Sequence, residues 1–135
     1  MVTKTSDEWS GCPIRYGAVI FGDAWSLLIL RDLMFKGARY YADFLKAGEG
    51  IATNILASRL ARLEDEGILT KTRDPENRTR YAYGLTEKGK ALVPIMLEIM
   101  DWSEAWDPQT EVPTEFAREL RRDRGSLARK IIAEL

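Results

Sequence analysis

Four absences narrow the field before any pattern is read. The chain of 135 residues has no histidine, so imidazole acid–base catalysis, His-based triads and His-ligated zinc are excluded. It has one cysteine, Cys12, which excludes an internal disulfide and any thiolate-rich metal site. No run of 18 apolar residues occurs, and the opening MVTKTSDEWSGC is polar. Neither a membrane helix nor a signal peptide is expected, which points to a cytoplasmic protein with no membrane partner. A nucleophile elbow and a phosphate-cradling glycine loop are also missing, so an enzyme has little support. No cofactor and no metal are implied.

Excess charge is lacking too. The net charge is −1, an awkward value for a nucleic-acid binder, where a basic footprint is expected. Its distribution softens this. Residues 51–90 hold eight basic and six acidic side chains, while residues 91–135 hold six and nine. Attraction to a polyanion would have to come from local placement. With 45% apolar and 30% charged residues, the chain is otherwise an ordinary globular domain, long enough to bury a core.

What is present is a series of helices and one hairpin. Residues 1–11 read as an arm. Pro13 opens a short helix that Gly22 ends, and Asp23 is placed to cap the next. That next helix, Ala24 to about Phe35, is almost solidly apolar and reads as the central post. Gly37 stops it. RYYADFLKA (39–47) reads as a short amphipathic helix with Tyr41, Phe44 and Leu45 inward, and Gly48 and Gly50 supply a turn.

The stretch GEGIATNILASRLARLEDEGIL (48–69) follows. With a step of about 100° per residue, Leu60, Leu63 and Ala52 fall within about 40° of Leu56, with Ile55 at the margin. The opposite side carries Asn54, Ala57, Ser58, Ala61 and Asp65, with Thr53 and Arg62 at its edges. Those first three outer turns are short and hydrogen-bonding rather than Lys- and Glu-rich. That suits close approach to base edges in a major groove. Preceded by a short helix and a Gly-containing turn, it completes a helix-turn-helix.

Gly67 ends that helix. ILTKTRD and RTRYAYGL then read as two strands around the turn DPENR, forming a wing. TEKGKALVPIMLEIMDWSEAW begins another helix, with Pro94 kinking it or marking its effective start. It is apolar nearly all round between Ala91 and Met100, so a second subunit is expected to cover part of it. Leu92, Ile95, Ile99, Trp102 and Trp106 have the 3–4 spacing of a pairing seam. DPQTEVP is a linker. A last helix from Thr114 to about Glu134 carries Phe116, Leu120, Leu127, Ile131 and Leu135 on one stripe.

The expected fold is mainly α with a small β-hairpin wing, a winged helix-turn-helix with flanking dimerisation helices. The divisions are an arm and first dimerisation helix (1–22), the winged core (23–86) and C-terminal dimerisation helices (87–135), together one domain.

CPI at 12–14, GDAWSLLILRDLMFKGARYYADF, ILASRLARLEDEGIL and YAYGLTEKGKAL together resemble the HxlR family of bacterial winged helix-turn-helix transcription regulators. The likeness covers about residues 12–106. It implies a DNA-binding homodimer whose first and last helices form the interface. In some members a cysteine at the position of Cys12 senses electrophiles or oxidants. The wing DPENRTRYAY lacks the paired prolines common in the family, and the tail beyond Trp106 is longer and more acidic than the pattern needs.

The candidate base readers are Thr53, Asn54 and Ser58, with Asn54 able to pair bidentately with adenine. Arg62 is a candidate phosphate contact, as are Arg73, Arg78 and Arg80 around the wing turn, with Lys71 beside them. Arg59 lies about 60° from Leu56, towards the core side. A structural ion pair with an acid of the preceding helices competes there with a DNA contact. Cys12 is a candidate redox sensor if exposed near positive charge, and otherwise a small buried hydrophobe.

The leading expectation is a homodimeric regulator on a pseudo-palindromic double-stranded operator, with repression as its output. Two alternatives stand beside it. One is a winged-helix protein-interaction module without DNA binding. The other is a regulator answering to a small aromatic effector at the dimer seam, among Trp9, Tyr16, Phe21, Trp25, Tyr40, Trp102 and Trp106.

Overall fold

The computed structural model describes residues 9–135, and the arm expected over residues 1–11 lies mostly outside them. The chain divides into two compact units, Met1–Thr86 and Glu87–Leu135.

In the first unit, helix α1 (Pro13–Phe21) starts at its proline and ends where the Gly22 N–H donates to the Ala18 carbonyl at 2.9 Å. Helix α2 (Ala24–Phe35) is capped by Asp23, whose carboxylate accepts from the Ser26 N–H at 3.1 Å and the Ser26 hydroxyl at 2.6 Å. Ile29, Leu30, Leu33 and Met34 are buried, and Ala24 alone on this helix is exposed. The near-continuous apolar run therefore makes a post surrounded on most sides.

Helix α3 (Tyr41–Leu45) is shorter than 39–47. The Asp43 carboxylate accepts from the N–H groups of Arg39 (2.9 Å) and Tyr40 (3.0 Å), which sets its first turn. Phe44 points inward at 2% exposure, but Leu45 is exposed, correcting its assignment to the core. Adjacent helical residues point about 100° apart, so with Phe44 inward Leu45 turns towards solvent.

Gly48 and Gly50 lie at φ +90° and +71°, where a side chain would be strained. They turn the chain into helix α4 (Thr53–Asp65). Leu56, Leu60 and Leu63 are buried, as their spacing requires, and α4 packs on α2. Burial of each leucine contributes about 1.5–3 kcal/mol. Ala52 is exposed, not inward, because it sits at the cap position before the helical period begins. The end of α4 is a Schellman turn. Gly67 at φ +75° lets its N–H reach the Glu64 carbonyl and the Ile68 N–H reach that of Leu63.

Strands β1 (Leu69–Arg73) and β2 (Tyr81–Leu85) pair antiparallel, Leu69 opposite Leu85 and Arg73 opposite Tyr81. A third segment joins them, unforeseen in the sequence. Tyr40 bridges Ala82, and the Tyr83 N–H donates to the Arg39 carbonyl at 2.7 Å. The wing is thereby tied to the start of α3, and Phe44 packs edge-on to Tyr83 with ring centroids 6.1 Å apart.

The second unit holds α5 (Glu87–Lys90), α6 (Val93–Trp106), α7 (Thr114–Arg122) and α8 (Arg124–Ala133). Pro94 lies in the first turn of α6, where its missing N–H costs nothing, and so marks the effective start. The single helix expected over 114–134 is broken at Asp123. Its side chain accepts from the Ser126 N–H at 3.0 Å and caps α8, a local bond that competes with continuing α7. Helices α7 and α8 pack along α6, with Leu97, Leu120, Leu127 and Ala128 buried. Arg124 binds both Glu98 and Asp101, the latter at 2.8 Å, and Arg121 reaches Glu104 at 3.3 Å. The acids of α6 are thus paired with bases of the tail. From Asp107 onward the tail itself holds six acids and six bases, so it is not acidic on its own account.

Among the described residues no helix is long and apolar enough to cross a membrane.

Candidate nucleic-acid interface

Helix α4 presents Thr53, Asn54, Ala57, Ser58 and Ala61 to solvent on one side, all exposed. Three of the five are the expected base readers, and the other two are alanines that leave the surface low. Its first residue is anchored from behind, since the Tyr41 hydroxyl donates to the Thr53 carbonyl at 3.0 Å. Arg31 steadies the approach to the helix. Its guanidinium bonds Asp32 at 2.8 Å and Glu49, in the glycine turn, also at 2.8 Å. Neither Tyr41 nor Arg31 stands out as a positioning residue in the sequence, because their partners lie 12 and 18 residues away.

Arg59 makes the ion pair that was one of its two expectations. Its Nε donates to Asp23 Oδ2 at 2.9 Å, and its other end lies 3.5 Å from the Ser58 hydroxyl. Asp23 thus caps α2 and grips α4 at once. Burial raises the Asp23 pKa, but the bonds from Ser26 and Arg59 outweigh it and hold the carboxyl below its usual value. Arg62 is half-buried.

The wing arginines separate into different roles. Arg80 donates to the buried Asp74 at 2.6 Å, and its guanidinium lies 3.7 Å from the centre of the Tyr40 ring. The pair braces the turn against the segment that opens α3, a structural role the sequence did not reveal, while the Arg80 side chain stays 45% exposed. The bond from Arg80 holds the Asp74 carboxyl below the usual range, helped by the Glu76 N–H. Arg73 is also engaged, donating to the Arg78 carbonyl and, at 2.8 Å, to the Tyr81 hydroxyl. Lys71 and Arg73 both lie against the Tyr81 ring, at 4.5 and 4.8 Å. Arg78 differs. It is exposed at the hairpin tip, and among the described residues no side chain pairs with its guanidinium. Between α4 and the strands runs a groove of about 270 Å³ bordered by Tyr41, Ala57, Glu64, Lys71 and Tyr83.

Elsewhere, Cys12 is partly exposed at the cap position of α1, its N–H donating to Ser10 Oγ at 3.3 Å. Trp9 lies edge-on to Tyr16, centroids 6.1 Å apart. Trp25 borders a cavity of about 10 Å³, too small for an organic effector, and Tyr40 is covered by Arg80. On α6, Ile95 and Ile99 are 40% and 41% exposed, Trp102 67% and Trp106 76%. Leu92 is 8% exposed and leaves the expected pairing seam, since it precedes α6 and turns into the core.

Residues 20–111 match the model of the HxlR-like helix-turn-helix family. The chain is similar to the uncharacterized HTH-type transcriptional regulator YvaP of Bacillus subtilis, 37% identical over 72% of this chain and 91% of that one. Among solved structures it is similar to PA1607, a candidate transcription factor, at 35% identity and a TM-score of 0.69. That likeness covers 77% of this chain and 72% of the other. It is also similar to the redox regulator HypR in its oxidized form, at 25% identity and a TM-score of 0.62, over 75% of this chain and all of that one.

Proposed function

The chain belongs to the HxlR-like helix-turn-helix family of transcriptional regulators, which bind DNA and are not enzymes, and from that premise we propose that it is a cytoplasmic repressor acting as a homodimer on a pseudo-palindromic operator. The observation that carries this is the outer face of α4. Thr53, Asn54 and Ser58 are exposed together on a low surface, beside a wing whose tip cation Arg78 is unpaired among the described residues. Short polar side chains read base edges, while Arg78 and Arg62 meet phosphates. The 23–86 core reads the half-site, and the C-terminal helices bring two cores together.

Pairing runs through Ile95, Ile99, Trp102 and Trp106. Their spacing of four, three and four residues is that of a helix–helix seam, and two tryptophans left this exposed are costly in water. The exposed Ile14 of α1, at 80%, suits the same use.

Titration of genomic duplexes at two salt concentrations tests the proposal. Each phosphate contact adds about −0.9 to the slope of log affinity against log salt. A dimer with a few contacts per subunit therefore binds steeply salt-dependently, and the absence of such binding would sink the idea.

Cys12 gives the regulator its input. Its partial exposure and the likeness to a redox regulator support a thiol that reacts with oxidants. With one cysteine per chain, diamide should take two electrons and two protons from two Cys12 thiols and join them as an intersubunit disulfide. Operator binding should weaken, and dithiothreitol should reduce that bond and restore it. A Cys12→Ser variant that responds as the parent does would rule this out.

A further inference from the structure

The outer face of α4 has an unexplained composition for a DNA-reading helix. Arginine is the side chain best fitted to guanine, bridging O6 and N7 with two parallel N–H groups. Yet the exposed side from Thr53 to Ala61 carries no cation, although Arg59 belongs to the same turns. The reason is geometric. Arg59 Nε is spent on Asp23 Oδ2 at 2.9 Å, 36 residues earlier in the chain. Asp23 is itself fixed, because it also accepts from the Ser26 N–H and hydroxyl at the start of α2. A charge-assisted bond to an immobile carboxylate is among the stronger polar contacts a protein makes. The guanidinium is therefore anchored at the edge of the outer face, its Nε on Asp23 and its Nη1 3.5 Å from the Ser58 hydroxyl, and does not extend over a groove while that pair holds.

We propose that Asp23 is a specificity-determining residue: by sequestering Arg59 it removes guanine readout from α4 and leaves a face matched to A·T pairs. The inference rests on the DNA-reading role proposed above. What remains on that face has the chemistry of A·T recognition. The Asn54 carboxamide offers one donor and one acceptor, complementary to adenine N7 and N6. The methyl groups of Thr53, Ala57 and Ala61 suit the thymine C5-methyl. Ser58 hydrogen-bonds either base and contributes no preference of its own. Asp23 acts as a positioning residue, through Arg59.

The test is selection of bound duplexes from a library with randomised half-sites, using the full chain and three variants. The parent should select A·T pairs at the α4-contacted positions. Arg59→Gln, which leaves the α2 cap intact, should select the same bases. Asp23→Ser caps a helix as well as aspartate does but is too short to hold the guanidinium. It should admit guanine at one position per half-site, with the guanine-to-adenine ratio rising at least about fivefold. Adding Arg59→Gln to Asp23→Ser should return the parent pattern, which loss of a cap alone could not produce.

Two results overturn the proposal while leaving DNA binding in place: a parent preference for guanine that Arg59→Gln abolishes, or an Asp23→Ser pattern identical to the parent's. No salt-sensitive enrichment of any duplex, by any of the four proteins, overturns the DNA-reading role and this inference with it. Thermal unfolding of each variant, read by circular dichroism, confirms that the selections compare folded proteins.

Discussion

Helices α4 and α6 are built to the same plan and differ in what they show to solvent. Each buries a leucine-containing stripe, Leu56, Leu60 and Leu63 on α4 and Leu97 on α6. Each leaves its other face open. On α4 that face is Thr53, Asn54, Ala57, Ser58 and Ala61, whereas on α6 it is Ile95, Ile99, Trp102 and Trp106. Water solvates the first at little cost and the second poorly. The buried stripe thus states how a helix is held, and the open face states what it is for. A face of short polar groups meets a polar, hydrated surface such as a DNA groove. A face of large apolar groups at heptad spacing suits another apolar surface, as the proposed dimer would supply.

The comparison can be broken most forcefully at α6. Replacing Ile99 and Trp102 together by glutamate should convert a dimer to a monomer by sedimentation equilibrium. Operator affinity should fall at least about a hundredfold, because linking two half-site readers contributes that much without new contacts. An unchanged mass would mean that the exposed stripe has another use. At α4 the same test works through one side chain. Asn54→Ala should weaken operator binding by about 1–3 kcal/mol, with the melting temperature and dimer mass unchanged.

The wing sharpens the contrast within the first unit, where two neighbouring arginines have different surroundings: Arg78 is exposed at the tip and Arg80 is paired with Asp74. Arg78→Ala should reduce the slope of log affinity against log salt by about 0.9 per subunit and leave stability alone. Arg80→Gln should instead lower the melting temperature, since it unpairs the buried Asp74 and uncovers Tyr40. Equal effects of the two on both measurements would erase the distinction.

The smallest expected effect is on acid stability. Asp23 and Asp74 are both held below the usual carboxylate range in the folded protein. Their contribution is present above the unfolded value, about pH 4, and is lost as pH falls through the folded values. Burial pushes Asp32 the other way, against its bonds to Arg31, so its protonation favours the folded state and trims the loss. The melting temperature should fall between pH 5 and pH 3, and Asp74→Asn should show a shallower fall than the parent.

Much of this architecture is legible from local rules. Pro13, Asp23 and Gly67 mark helix ends because a cap acts on backbone groups within one turn of itself. Leu56, Leu60 and Leu63 announce their shared face because 3.6 residues return the chain to the same side. The same arithmetic misplaced Ala52 and Leu45, which lie at helix ends where the period has not begun or has stopped. It also carried the last helix through Asp123, where a side chain competes with the backbone ladder.

What the sequence determined by itself was the set of elements, their order, and the polar outer face of α4, since periodicity and capping act over a few residues. Tertiary structure decided which charges meet. Arg59 finds Asp23, Arg80 finds Asp74 and Tyr40, and Arg31 finds Glu49. It also decided that Leu92 turns inward while Ile95 stays out. A charge has no periodicity to reveal its partner. Its pairing depends on where packed helices bring distant segments, and a side chain near a helix end turns inward or outward according to what packs against it.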